Sequence, residues 1–258
     1  MARVIAVCNQ KGGVGKSTTA VNVGSYLALS GKKTLLIDLD PQGNATTACG
    51  IQKSDIRKSI YDSIVNELPI TEGIVKTCIE QLEMIPSNLD LAGAEPYLAG
   101  IDGRESILKK ICEPLKSRYE FILFDCPPSL GLLTVNALVA ADSTLIPVQC
   151  EYFALEGLNS LMRAVTLIKQ QLNPSLRVGG IVLTMTDFRA NLAREVADEV
   201  KGFFKDLVFS TAIPRNIRLA ESPSFGKPIC LYDPHSTGAL AYQLLAQEVL
   251  VKEGTVQE

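Results

Sequence analysis

Ten residues near the N-terminus, Asn9-Gln10-Lys11-Gly12-Gly13-Val14-Gly15-Lys16-Ser17-Thr18, constrain the fold of this chain more than any other feature. They follow the apolar run Val4–Cys8 and lead directly into a helical pattern. A strand, a glycine-rich turn and a helix opening at Lys-Ser form the geometry of a phosphate-binding loop. Glycines let successive backbone N–H groups turn inward around an anion, and the helix N-terminus adds partial positive charge. In that geometry Lys16 reaches the β- and γ-phosphates and the Ser17 hydroxyl ligates Mg²⁺. The usual pattern has glycine where this chain has Gln10, and Lys11 adds a second lysine at the mouth of the loop. The plainer alternative is a glycine-rich strand–helix turn with solvated lysines.

Strand-like apolar runs alternate with helical patterns along all 258 residues. Strands are expected at Val4–Cys8, Thr34–Leu39, Leu82–Ile85, Glu120–Asp125, Thr144–Val148, Val178–Thr184 and Val208–Ile213. Helices are expected over Ser17–Ser30, Ser54–Asn66, Arg104–Arg118, Leu132–Ala140, Leu155–Leu172, Asn191–Phe204 and Gly238–Val251. Strands rich in Ile, Val and Leu between helices predict an α/β P-loop NTPase architecture, a mostly parallel twisted sheet with helices on both faces. The length and the absence of an internal repeat or linker predict a single domain over 1–258.

Two further strand ends carry acid. Leu35-Leu36-Ile37-Asp38-Leu39-Asp40-Pro41 leaves a strand with two carboxylates at alternate positions, projecting to one side of it. Phe121-Ile122-Leu123-Phe124-Asp125-Cys126-Pro127-Pro128 is an apolar strand ending in one aspartate, the arrangement in which Asp125 holds Mg²⁺ directly or through a water. Either aspartate could instead cap a turn. No glutamate follows Asp125 to serve as an obvious base, which suggests slow hydrolysis and a timed switch.

Composition narrows the chemistry. A net charge of −3 argues against holding nucleic acid through the overall field, so any DNA contact must be a local patch. His235 is the only histidine, so a histidine-based triad or His-rich metal site is excluded. Seven dispersed cysteines read as small buried hydrophobes of a reducing cytosol. No signal-peptide pattern and no run of about 18 apolar residues is present, so a cytoplasmic protein is expected.

Lys11-Gly12-Gly13-Val14-Gly15-Lys16-Ser17, with its leading lysine, resembles the deviant Walker A ATPases. Asp38–Asn44, Asp125–Gly131, Pro147–Gly157, Thr184–Arg189 and Ile213–Asn216 resemble the ParA/Soj branch of that group, which acts in chromosome and plasmid partition. The resemblance spans nearly the whole chain. It implies that residues Lys11 to Thr18 (Gly12, Gly13, Val14, Gly15, Lys16 and Ser17 between them) bind ATP with Mg²⁺, and that Lys11 contacts the nucleotide of a partner subunit in an ATP-sandwich homodimer. It implies that Asp40 orients the attacking water or organises the Mg²⁺ shell, with Asp38 in support. Lys11, Lys16 and Asp40 are then catalytic, and Ser17, Asp40 and Asp125 serve the metal. It further implies that Pro214 and Asn216 frame the adenine and that Glu151 approaches the ribose across the dimer. Arg189 and Arg218, with Lys227 beside them, fall where Soj proteins place DNA-contacting residues, and a ParB-type partner would stimulate hydrolysis on the nucleoid.

Between Asp187 and Lys227 seven basic side chains face six acidic ones, a mixed surface that becomes convincing for phosphate only when two subunits combine. A MinD-like membrane ATPase would need a basic amphipathic C-terminal helix, whereas Gln247–Glu258 carries three acids and one lysine. A nucleotide-dependent scaffold that does not hydrolyse ATP is the remaining alternative.

Overall fold

The runs of branched apolar residues form the strands, because β-branched side chains pack well on a pleated surface buried on both faces. The structure, a computed structural model, describes residues 2–187 and 189–254. Its strands are β1 (Arg3–Val7), β2 (Thr34–Asp38), β3 (Val75–Lys76), β4 (Leu82–Ile85), β5 (Phe121–Asp125), β6 (Ser143–Gln149) and β7 (Arg177–Thr184). They form one sheet in the order β3-β4-β2-β5-β1-β6-β7. All neighbours are parallel except β3, which runs antiparallel to β4 at the edge. The described helices are α1 (Lys16–Leu29), α2 (Asn44–Ala48), α3 (Ile60–Val65), α4 (Ala94–Ala99), α5 (Ile107–Cys112), α6 (Leu132–Ala140), α7 (Ala154–Gln171), α8 (Asn191–Phe204), α9 (Ile217–Glu221), α10 (Ile229–Tyr232) and α11 (Thr237–Gly254).

Side chains alternate across each strand and so supply two cores. Val4, Ala6 and Cys8 of the first strand region, with Ile122, Phe124 and Cys126 of the β5 region, pack on one face beneath α3 to α8. Ile5, Val7, Phe121 and Leu123 pack on the other, beneath α1, α2, α9, α10 and α11. The alternation follows from the two-residue period of a strand. The expected P-loop NTPase sheet with helices on both faces is therefore what this chain forms.

Three expected elements differ, each for an identifiable physical reason. The helix expected over Ser54–Asn66 reduces to a short turn at Lys53–Asp55 and α3, which starts at Ile60 because Ser59 and Asp62 form a capping box. There the Asp62 carboxylate accepts the Ser59 N–H at 2.8 Å. The Arg104–Arg118 helix is cut to α5 with 3₁₀ turns at either end, and Pro114 sits in the second, where its missing N–H and ring do not suit a continuing α-helix. Val208–Ile213 lies beside β7 without becoming a strand of the sheet. Phe209 and Ile213 donate to Ile181 and Leu183 carbonyls at 2.8 Å each, but the intervening N–H groups of Ser210 and Thr211 turn to the Glu248 carboxylate, also at 2.8 Å each. The two-residue β3 has no counterpart in the sequence pattern.

Candidate nucleotide site and basic face

β1, β5 and β2 lie side by side, and all three of the acidic or glycine-rich motifs leave from their carboxyl ends, the usual ligand edge of an open α/β sheet. The loop after β1 turns through Gly13 and Gly15, at φ of 75° and 88°, a region that favours glycine, and Gly15 is the N-cap of α1. It is braced from the rest of the fold. Asn9 Nδ2 donates to the Pro147 carbonyl at 2.7 Å, Asn9 Oδ1 accepts the Lys11 N–H at 3.0 Å, and Thr184 Oγ1 donates to the Val14 carbonyl at 2.9 Å.

Lys16 is buried and curls back over the loop, its Nζ donating to the Lys11 carbonyl at 3.0 Å. Burial lowers its pKa, and the nearby Asp125 and Asp40 carboxylates oppose that shift. Lys11 behaves differently. It is half-exposed and ion-paired with Glu151, and it is absent from the lining of the cavity that its own loop encloses.

Asp38 and Asp125 sit opposite one another in the β2–β5 register, and both are fully buried. Asp38 is spent on its own loop: Oδ2 accepts the Thr46 N–H at 2.8 Å and the Thr46 hydroxyl at 2.7 Å, and Oδ1 accepts the Asp40 N–H at 3.1 Å. Burial pushes its pKa up to about 6 against those hydrogen bonds. Neither carboxylate oxygen of Asp125 accepts a hydrogen bond of good geometry. Burial, then Asp38, raise the Asp125 pKa well above the carboxylate range, although the neighbouring Ser17 hydroxyl and Lys16 ammonium favour the charged form. A buried carboxylate without donors is costly unless a cation or an ordered water satisfies it. Asp125 beneath Ser17 therefore fits Mg²⁺. Among the described residues no three His, Cys, Asp or Glu side chains cluster as a metal cage. Mg²⁺ does not need one, since it keeps several waters and takes one or two carboxylates plus phosphate oxygens.

A cavity of about 600 Å³ opens over the loop, lined among others by Gly12, Lys16, Ser17, Asp40, Lys53 and Lys227. A second, more apolar cavity of about 220 Å³ lies between Thr18, Met185, Pro214, Asn216 and Tyr242. Pro214 and Asn216 thus line one pocket beside the phosphate loop. The Asn216 amide is largely committed: Oδ1 caps α9 by accepting the Leu219 N–H at 3.2 Å, and Nδ2 donates to Thr237 Oγ1 at 2.9 Å. Lys53 and Tyr242 line these cavities without belonging to any motif, and Thr184 and Met185 line them from the start of the Thr184–Arg189 stretch. Nothing local in the sequence marks Lys53 and Tyr242, because the tertiary fold alone brings them to the loop.

Arg189, Arg218 and Lys227 are each engaged within their own neighbourhood. Arg189 is 91% exposed on its side chain and grips Asp187 with two hydrogen bonds, Nε to Oδ1 at 2.8 Å and an Nη to Oδ2 at 2.7 Å. That pairing holds Asp187 down at about 2. Arg218 pairs with Glu221 at 3.1 Å and Asp233 at 3.4 Å. Lys227, grouped with these arginines from sequence, lies instead in the wall of the phosphate cavity. No described helix is long and apolar enough to cross a membrane.

Comparison with known proteins places this geometry in a family. Residues 2–178 match the family model described as an AAA domain. The chain is 53% identical over 249 residues to the sporulation initiation inhibitor protein Soj of Bacillus subtilis, covering 96% of this chain and 98% of that one. It is 51% identical to the chromosome partitioning protein ParA of Myxococcus xanthus, covering 98% and 89%. Among solved structures, cobyrinic acid a,c-diamide synthase of Mycobacterium smegmatis with bound ADP and magnesium superposes with a TM-score of 0.86 at 34% identity, covering 100% of this chain and 97% of that one. With a deviant phosphate loop and such relatives over nearly its full length, the chain belongs to the ParA/Soj family of chromosome-partitioning ATPases.

Proposed function

We propose that this protein is a DNA-partitioning switch driven by ATP. ATP occupies the two adjoining cavities, its phosphates over the Gly12–Thr18 loop and its base against Pro214 and the plane of Asn216. The observation that carries this reading is the buried Asp125 carboxylate, which has the Ser17 hydroxyl as a neighbour but no hydrogen bond of good geometry, beneath the phosphate loop. When bound, Mg²⁺ supplies charge neutralisation between the phosphates and these two residues. Lys16 compensates the β- and γ-phosphate charge, and Asp40, in the wall of the same cavity, orients the water that attacks the terminal phosphate. The products are ADP and inorganic phosphate. Turnover is slow, because no carboxylate beyond Asp40 stands ready as a base.

Lys11 supports a homodimer. Its ammonium does not line its own cavity and is held by Glu151 at the surface, able to exchange that partner for the nucleotide of a second subunit. Dimerisation doubles the available arginines, and the dimer holds duplex DNA through its phosphates without reading sequence. A ParB-type protein stimulates hydrolysis and release, and the protein works on the nucleoid in the cytoplasm. Co-pelleting with plasmid DNA in ATP, ADP and no nucleotide tests the reading. Retention only with ATP is expected, and equal retention in all three states overturns it.

A further inference from the structure

Gly50 and Gly226 touch backbone to backbone across the rim of the phosphate cavity. A Cβ on Gly50 would lie 2.7 Å from the Gly226 carbonyl oxygen, and one on Gly226 would lie 2.8 Å from the Gly50 Cα. Both have positive φ, 85° and 61°, so the approach uses glycine twice over, for conformation and for space. Each glycine adjoins a segment that lines the cavity: Asp40, Gln42, Thr47 and Ala48 precede Gly50, and Ser222, Pro223, Ser224 and Lys227 flank Gly226.

Each segment is tied to the groups that meet phosphate. On the first, Asp38 fixes Thr46, Thr46 accepts the Ile51 N–H through its carbonyl at 3.2 Å, and Thr47 accepts the Gly50 N–H at 2.9 Å. On the second, the Ile229 N–H donates to Asn22 Oδ1 at 2.8 Å, and Asn22 Nδ2 donates to the carbonyl of Thr18, at the end of the phosphate loop, at 2.8 Å. The second segment directly follows α9, which carries Arg218, and it includes Lys227. Glu221, the last residue of α9, holds both Arg218 and the Tyr232 hydroxyl.

We propose that the Gly50–Gly226 contact is the relay by which occupancy of the phosphate cavity repositions residues 217–228, and with them Arg218, for DNA. This rests on the nucleotide reading above. The physical reason is the lack of side chains at the contact. Where two side chains meet, a shift of a few tenths of an ångström is absorbed by a rotamer change, but two bare backbones in van der Waals contact pass it on. An adjustment of the Asp40–Gly50 loop to a terminal phosphate is therefore felt at Gly226, one residue before Lys227.

Hydrogen exchange read by mass spectrometry tests this on Lys11→Ala at a concentration where light scattering shows monomer, so that dimer burial does not contribute. Addition of Mg-ATP should slow exchange in 12–18, and segments 44–51 and 222–229 should respond together, each by about threefold or more. A response in 12–18 and 44–51 with none in 222–229 overturns the relay and leaves the nucleotide reading standing. No response in 12–18 overturns the nucleotide reading itself. Gly226→Ala supplies a second arm. ATP affinity should stay within about threefold while ATP-dependent retention of a duplex DNA falls at least about tenfold and the 222–229 response disappears. Full retention by a folded Gly226→Ala protein overturns the relay, and if that variant does not fold the exchange experiment decides alone.

Discussion

The nucleotide end of the sheet and the basic face after β7 use charge in opposite ways. At the nucleotide end the charges are buried and incompletely satisfied: Asp125 has no well-aligned donor, Asp38 is pushed up to about 6, and Lys16 is pulled down by burial. At the basic face Arg189 and Arg218 are exposed and already paired with acids of their own neighbourhood. A buried site with unmet charge gains much from a complementary ligand, because the protein has already carried the desolvation cost. An exposed, paired arginine must give up one anion to take another, in water that screens both. One region is built to bind tightly, and the other only when several of its members act together.

Lys16→Ala is expected to show the largest effect. Charge-assisted contacts of this kind contribute about 1.5–3 kcal/mol each, so nucleotide affinity should fall at least about tenfold in calorimetry, and dimerisation and DNA binding should go with it. Near-normal ATP binding by this variant would break the comparison at its strong end.

Lys11→Ala and Asp40→Ala should then divide what Lys16→Ala removes together. Lys11→Ala should bind nucleotide yet stay monomeric and inactive, because its charge serves the partner's phosphates. Asp40→Ala should bind ATP, dimerise and remain dimeric, because the water is no longer oriented. Light scattering in ATP decides, and equal dimer fractions for the two variants refute a cross-subunit role for Lys11.

At the basic face, Arg189→Ala and Arg218→Ala should keep ATP-driven dimerisation and lose DNA retention. The log–log salt slope on duplex DNA should become shallower by roughly 0.9 for each phosphate no longer neutralised. Asp187→Ala sharpens the test. It frees Arg189 and removes a negative charge from the face, so retention should rise above the parent's by a few-fold. A fall would mean that Asp187 orients Arg189 more than it competes for it.

The smallest effect concerns the Asp187–Arg189 pair itself. Its carboxyl titrates in the folded protein at about 2, below an unfolded value near 3.9, so the stabilisation is present above about pH 4 and fades as pH falls towards 2. Both groups are exposed, and the loss should be slight. Carbon-detected NMR of the Asp187 carboxyl should show the depressed value in the parent and an ordinary one in Arg189→Ala. An unchanged titration in that variant removes the argument that Arg189 is neutralised before it meets DNA.

Much of this protein was decided locally. Strand and helix periods run through the sequence, so the alternation, the parallel sheet and its two helical layers follow from residues a few positions apart. The phosphate loop and the acidic strand ends were equally legible, because glycine, lysine and aspartate beside an apolar strand have few other uses together. Boundaries were less so: a Ser59–Asp62 capping box, a proline at 114 and the Glu248 carboxylate reset three elements, and the last of these is 38 residues away from the Ser210 N–H it captures. What only the tertiary structure decided is partnership. No local pattern says that Lys11 meets Glu151, 140 residues on, that Asp187 and Asp233 occupy the candidate DNA arginines, or that Lys227 belongs to the phosphate cavity. Pairings between long, flexible charged side chains depend on which loops the sheet brings together, and that is a property of the folded chain as a whole.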